Sequence, residues 1–450
     1  MMSYVDEVLE VVKVKDASEP EFIQTATEIL DSLRPLIDAN EETYRKVALL
    51  ERLVEPEKIV TFRIPWEDDA GHIHVNRGWK IQFSSAIGPY KGGIRFSPSV
   101  DLGTLKFLSF EQMFKNSLTG LPIGGGKGGA DFDPQGKSDT ELMRFCQSFM
   151  TNLYHYIGAN MDCPAGDLGC GTKELGYMFG QYKRLINTYE SGVLSGKPIA
   201  SGGIVGRDTA TGYGALYFTE ELLKDLGETV EGKTFALSGF GNVAWGCAKK
   251  IADMGGKVVT ISGPDGYVYD PDGISGDKLD YMLEMRDSRR NRAQDYADKY
   301  SVSFFPKAKP WGHIKADIYM PCAVQNDIHL EDAKRIVREG TCKVLVEVAN
   351  MPTTPNAISY LREQGIIIAP YKAVNCGGVA VSAMEMAQNA EKLCWSAEDV
   401  DNKLHPIMKN VYKNVNEAAA KYGKPGDLIA GANLAAAEKI FAAMVEQGVC

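Results

Sequence analysis

The chain has 450 residues, 44% hydrophobic and 24% charged, with 49 basic against 59 acidic side chains and a net charge of −10. That length and composition fit a soluble protein of two domains, each with a core, and the acidic balance argues against non-specific nucleic-acid binding, which needs a basic face. Nine cysteines, an odd number with no C-x-x-C pair, argue against a disulfide framework and for a reducing cytoplasm.

The N-terminal run MMSYVDEVLEVVKVKDASEP carries acids and reads as an amphipathic helix rather than a signal peptide. No window is expected to reach the ~20 apolar residues that span a bilayer. Residues 5–55 read as helices broken near Pro20, Pro35 and Pro56. From Ile59 to Phe83 the pattern alternates, KIVTFRIPW then HIHVNRGWKIQF, with the turn DDAG between them, which predicts a hairpin. Residues 101–119 predict a helix, and a second begins at Ser138, an N-cap with Glu141 three residues on. The run SGKPIASGGIVGRDTATGYG, rich in Gly, Ser and Thr, marks the domain junction. Beyond it TFALSG, KVVTISG, ADIYMPCA, KVLVEVAN and GIIIAP read as strands alternating with helices, two of them at 328–339 and 354–364. Such alternation implies a parallel sheet covered on both faces.

Gly239, Gly241 and Ala244 make G-x-G-x-x-A between a strand and a helix. The first glycine allows the tight turn, the second lets backbone approach a pyrophosphate, and the helix N-terminus offers free N–H groups. The second strand of the fold ends ~20 residues on, at SGPDG, as a dinucleotide site requires. Asp265 there is the nearest acid for a ribose 2′-hydroxyl, and equally a plain turn residue. Arg286, Arg289, Arg290 and Arg292 lie downstream and would suit a 2′-phosphate, or simply a solvated helix face. NAD is the expected coenzyme, with NADP as the alternative.

Three lysines stand apart in the first third: Lys91 in GPYKGGIRF, Lys115 in FEQMFKNSL and Lys127 in LPIGGGKGG. GGGKGG is not a nucleoside-triphosphate loop, because Gly128 follows the lysine and Leu121 stands where the motif's first glycine belongs. No strand is expected to lead into it. A lysine set in glycine, with backbone able to approach a ligand closely, suits proton exchange in a partly dry pocket. Lys106, with ordinary helical neighbours, reads as a solvated surface charge. Asp167, in CPAGDLGCG, either serves the same chemistry or caps a turn. Cys163 and Cys170, which flank it, and His155 match no standard zinc spacing, and no metal site is expected.

Taken together, WEDDAGHIHVNRGWKIQFSSAIGPYKGGIRF, FLSFEQMFKNSLTGLPIGGGKGGADFDPQGKSD, DCPAGDLGCG, TATGYG, GFGNVAWG, EVANMPTT and VNCGGVAVSAMEM resemble, in order and over nearly the whole chain, the glutamate dehydrogenases of the short-subunit, homohexameric kind. The resemblance implies an α/β protein of two domains separated by a cleft. An N-terminal substrate and assembly domain would occupy 1–202, with the C-terminal helix 425–450 returning to it, and a Rossmann-type dinucleotide-binding domain would occupy 203–424. It implies reversible NAD(P)-dependent oxidative deamination of L-glutamate to 2-oxoglutarate and ammonium, in a cytoplasmic homohexamer of nitrogen metabolism without membrane or nucleic-acid partners. In that scheme Lys91 and Ser382 hold the distal carboxylate, and Lys115 with Gln112 the α-carboxylate. Lys127 activates water and Asp167 moves protons at the substrate nitrogen. Gly166, Arg207, Asn375 and Gly378 complete the substrate site, with Asp208 where the family more commonly has proline. Thr211, Gly239, Phe240, Gly241, Asn242, Val243, Asp265, Asn350 and Asn375 contact the cofactor.

Two alternatives share these features. One is a dehydrogenase of branched-chain or aromatic amino acids, against which the pair Lys91 and Ser382 argues by suiting a distal carboxylate. The other is a catalytically silent dinucleotide-binding regulator, against which the presence of Lys127 and Asp167 argues.

Overall fold

The computed structural model describes residues 2–288 and 290–449. The chain divides into two compact units. One comprises the residues up to Val205, Val379–Val400 and those from Asn433 on; the other comprises Gly206–Gly378 and Asp401–Ala432.

The first unit is built on a five-stranded sheet of β1 (Lys58–Glu67), β2 (Ile73–Ser84), β3 (Tyr90–Phe96), β4 (Gly125–Ala130) and β5 (Asp162–Gly166), in the order β1-β2-β4-β3-β5. β1 and β2 form the expected antiparallel hairpin, β2 runs antiparallel to β4, and β4, β3 and β5 are parallel. Helices Asp139–Leu153 and Thr172–Ile186 share one core with Ile64, Ile94, Phe96 and Ala130 of the sheet. Ser138 caps the first of them reciprocally with Glu141, as its sequence specifies.

Two expectations for this unit are corrected. The glycine run around Lys127 is itself a strand, β4, buried at every position. It holds an inner place because glycine permits unusually close backbones: a Cβ on Gly92 of β3 would lie 1.7 Å from the carbonyl oxygen of Gly126. Lys106 is not solvated but 4% exposed. Its Nζ lies 2.5 Å from Asp16 Oδ1 and 3.0 Å from Glu19 Oε2, and 4.2 Å from the centre of the Phe22 ring. Its partners come from the N-terminal helical segment, some ninety residues away, so no local pattern announces them.

The second unit carries seven strands in the order β12-β11-β10-β6-β7-β8-β9. These are β6 (Thr234–Leu237), β7 (Lys257–Gly263), β8 (Gly266–Tyr269), β9 (Ser303–Pro306), β10 (Ile318–Met320), β11 (Val344–Val346) and β12 (Ile367–Ala369). β12, β11, β10, β6 and β7 are parallel, as the strand–helix alternation predicts. β8 and β9 depart from that expectation and run antiparallel at one edge. For β8 the reason is the two-residue connection Pro264-Asp265 between the paired Gly263 and Gly266, which is long enough for a hairpin and far too short for a parallel crossover.

The sequence boundary at 202/203 falls within a few residues of the observed division at 205/206. The segment 379–400, placed in the nucleotide domain by sequence, belongs instead to the first unit. Its helix, Gly377–Glu391, sends Gln388 Nε2 to the Gly203 carbonyl and Asn389 Nδ2 to the Gly202 carbonyl. The C-terminal helix Leu428–Glu446 is, against expectation, long and apolar enough to cross a membrane. Most of it is buried inside the protein, where Leu434, Ile440 and Phe441 are core residues and the Phe441 ring meets Tyr44 edge-on at 5.3 Å.

Candidate active site

The sheet order β4-β3-β5 brings two of the sequence-selected charges, Lys127 and Asp167, into contact. β4 carries Lys127, 6% exposed, and the turn after β5 carries Asp167. Lys127 Nζ lies 3.0 Å from Asp167 Oδ2. Arg95 Nε, from β3, donates to the same oxygen at 3.0 Å. Burial pushes the Asp167 carboxyl up, but Lys127 and Arg95 outweigh it and hold the group down at about 2. Arg95 was not singled out from sequence. Its only signal is position: in β3 it stands four residues after Lys91, on the same side of the strand by the two-residue repeat.

Lys91 is fully buried on β3. Its Nζ donates to the Cys163 carbonyl at 2.9 Å and to Ser195 Oγ at 2.6 Å. Lys115 and Gln112 lie half-buried on the helix Leu102–Leu118. Gln112 Nε2 donates to Asn116 Oδ1, and Asn116 Nδ2 reaches the carbonyls of Lys91 and Gly124. Asn116, also missed from sequence, therefore ties this helix to the strand that carries Lys91. Gly166 ends β5, and Ser382 is buried on the helix Gly377–Glu391.

The second unit holds the nucleotide candidates. Gly239 adopts φ +81°, a conformation that suits glycine, in the turn between β6 and the helix Asn242–Asp253. Its N–H donates to Ser262 Oγ at the end of β7. A Cβ on Gly241, the N-cap of that helix, would meet nothing within 4 Å and no side chain caps the helix, so its start opens onto free space where first-turn N–H groups lack intrahelical acceptors. Val243 continues the first turn and Phe240 is buried. A Cβ on Gly378 would come within 2.6 Å of Thr211 Oγ1 and 3.3 Å of Arg207 Nη1, which places these three together. Asn375 Nδ2 donates to the Val348 carbonyl and to Asn350 Oδ1, while its own buried Oδ1 has no hydrogen-bond partner. A tight glycine turn, an open helix start and a buried acceptor suit a dinucleotide with an amide-bearing ring.

Asp265 is already engaged: its oxygens accept the backbone N–H groups of Ala293 at 2.8 Å and Gln294 at 3.0 Å. Arg286 donates to Asn242 Oδ1, and Arg290 and Arg292 lie beside Asp295. Arg289 lies outside the described residues.

Glu347, directly after β11, is 2% exposed. Oε2 accepts the Tyr371 N–H at 3.4 Å, and Thr353 beside the carboxylate opposes the effect of burial. Burial pushes its carboxyl up to about 7. An unfolded glutamate titrates at about 4.5, so the folded protein holds the extra proton between there and about 7, and stability falls as pH rises through that window. Glu347→Gln, neutral throughout, should abolish this loss. Melting temperatures of the two proteins measured from pH 5 to pH 8 should diverge in the variant's favour; parallel curves would contradict the assignment.

Sequence comparison matches residues 202–448 to the Glutamate/Leucine/Phenylalanine/Valine dehydrogenase family, and residues 56–184 to the Glu/Leu/Phe/Val dehydrogenase dimerisation domain. The chain is 57% identical over 451 residues to the NAD-specific glutamate dehydrogenase of Clostridium symbiosum, covering 100% of both chains. It is 48% identical over 447 residues to the NADP-specific glutamate dehydrogenase of Giardia intestinalis, covering 99% of this chain and 98% of the other. Among solved structures, a glutamate dehydrogenase with 57% sequence identity superposes with a TM-score of 0.97 over 99% of each chain.

Proposed function

The chain belongs to the Glu/Leu/Phe/Val dehydrogenase family, and from that membership and the site chemistry we propose that it catalyses the reversible NAD-dependent oxidative deamination of L-glutamate to 2-oxoglutarate and ammonium. The observation that carries the substrate choice is a fully buried cation, Lys91, on the sheet that also holds the Lys127–Asp167 pair. A buried ammonium suits a substrate with a second carboxylate, which an amino acid with an apolar side chain lacks.

Lys91 and Ser382 hold the distal carboxylate, and Lys115 with Gln112 the α-carboxylate. Gly166, Arg207, Asn375 and Gly378 complete the substrate's surroundings. Fixing both carboxylates orients the α-hydrogen, and such positioning supplies a large share of the barrier reduction. NAD would be held at the turn from Gly239 to Val243 and by Thr211, Asn350 and Asn375, and would supply the hydride acceptor. Loss of hydride from Cα leaves an iminium, which water attacks. In its neutral form the Lys127 amine takes a proton from that water and becomes the ammonium, and Asp167 carries protons to and from the substrate nitrogen. Asp167 is suited to this second role because its low proton affinity rests on its two cations. Removing the Lys127 charge takes away the larger of the two opposing influences, so the carboxylate then binds a proton more readily.

NAD is the coenzyme of this reading. It is supported by 57% identity to an NAD-specific relative and by arginines that already have protein partners downstream of β7. Initial rates with the two coenzymes side by side should give the higher kcat/KM with NAD; a higher value with NADP, lost in Arg290→Ala, would reverse the choice.

The assembly of this reading is a cytoplasmic homohexamer. β1 is a ten-residue edge strand, and Ile59 on it and Ile73 and Val75 on its partner β2 are exposed apolar side chains that pairing between subunits would cover. Light scattering should return about six times the 49.2 kDa subunit mass. A monomeric mass at micromolar concentration would contradict it.

A further inference from the structure

Lys197 and Glu385 form an ion pair, 2.6 Å long, in which both side chains are fully buried. Each is also bonded to backbone. Lys197 Nζ donates to the Leu194 carbonyl, and Glu385 Oε2 accepts the Gly196 N–H at 2.8 Å. The pair therefore clamps both sides of Ser195 onto the helix Gly377–Glu391. Ser195 is held from a third side, since its N–H donates to the Pro164 carbonyl. Its Oγ, so fixed, accepts the Lys91 ammonium. Glu385 lies one turn beyond Ser382 on the helix, on the same face by the three-residue spacing, and Gln388 and Asn389 extend the attachment to Gly203 and Gly202.

A buried ion pair is a weak source of stability, because desolvation of two charges offsets much of their attraction. What the pair does supply is geometry. It joins a loop and a helix 188 residues apart in the chain, and each of these bears one side of the setting around the distal-carboxylate groups.

We propose that Lys197 and Glu385 are positioning residues that set substrate specificity: by locking the 194–197 segment to the helix that carries Ser382, they hold the Lys91 ammonium and the Ser382 hydroxyl in the arrangement that accepts a distal carboxylate. This rests on the reading of Lys91 and Ser382 given above. A pocket pre-formed in this way favours glutamate over an amino acid with an uncharged side chain of similar length, and slackening it weakens glutamate binding while the proton-transfer pair Lys127 and Asp167 stays in place.

The test uses the purified full-length chain with NAD, L-glutamate and L-norvaline, and the variants Glu385→Gln and Glu385→Asp. Glu385→Gln removes the charge; Glu385→Asp keeps it but draws the carboxylate back by one methylene. In Glu385→Gln the glutamate KM should rise about tenfold or more with kcat kept within about threefold, and the preference for glutamate over norvaline should fall by about the same factor as KM rises. Glu385→Asp should shift in the same direction and less. Equal loss of kcat on both substrates with unchanged KM would overturn the proposal, because that is the mark of a reduced fraction of folded enzyme. An unmoved preference in both variants would overturn it too. So would failure of both to fold, which would make the pair an element of folding instead. Lys91→Leu separates this from the substrate reading: if the parent protein lacks a glutamate preference, or Lys91→Leu leaves it intact, the substrate reading fails and the positioning role fails with it. If Lys91→Leu abolishes the preference and the Glu385 variants do not, only the positioning role fails.

Discussion

Lys127→Ala should lower kcat for glutamate oxidation by about 10²–10⁴ while the protein folds and binds NAD as before. The size follows from the loss of a proton-transfer group at the reacting water. The selectivity of the loss follows from what remains: Asp167 keeps Arg95 at 3.0 Å, so no uncompensated carboxylate is left in the sheet. Lys127 is anchored by its ion pair with Asp167 on the turn after β5, and alanine fits a strand of glycines without crowding it. Circular dichroism and calorimetric titration with NAD would check fold and cofactor binding beside the turnover measurement. Near-normal turnover would remove Lys127 from the mechanism. Asp167→Asn should give a loss of similar order, because the amide has the shape of the carboxylate but cannot exchange the proton. It should be the less well-tolerated change, since Lys127 and Arg95 then face each other without the charge between them.

Lys91→Leu should collapse glutamate turnover through binding rather than chemistry. Leaving a buried charge without its partner costs about 2–5 kcal/mol, which is roughly 30-fold to several-thousand-fold in kcat/KM. Leucine also leaves the Ser195 hydroxyl and the Cys163 carbonyl without the donor they now share, in a place closed to water. The parent protein should oxidise L-glutamate and barely touch L-leucine, and the variant should lose the first activity and gain relatively on the second. A parent protein that prefers a branched-chain substrate would show that Lys91 serves another purpose.

Several elements are legible in the sequence because their signals are local. The β1–β2 hairpin shows in two-residue alternation, the helix after Ser138 in its capping box, and the β6 turn in the spacing of Gly239, Gly241 and Ala244. The lysines stand out because charged residues in apolar or glycine-rich surroundings are uncommon. Where local pattern misled, the cause lay at a distance. Lys106 sits in an ordinary amphipathic helix, and only the arrival of Asp16 and Glu19 makes it a buried cation. The glycines around Lys127 suggest a loose bed, yet they form an inner strand because their neighbours on β2 and β3 approach too closely for side chains.

By itself the sequence determined the order of its motifs, the family to which they belong, the strand–turn–helix at Gly239 and the chemistry available at Lys91, Lys127 and Asp167. Tertiary structure alone decided that Arg95 shares the Asp167 oxygen with Lys127, that Lys91 meets a serine 104 residues away, that the segment 379–400 joins the first unit, and that Lys197 finds Glu385. The physical reason is range. Periodicity, capping and turn chemistry are fixed by neighbours within about one turn or one strand pair, so they can be read along the chain. Which charge faces which depends on how whole elements pack, and that is set by the burial of many side chains at once.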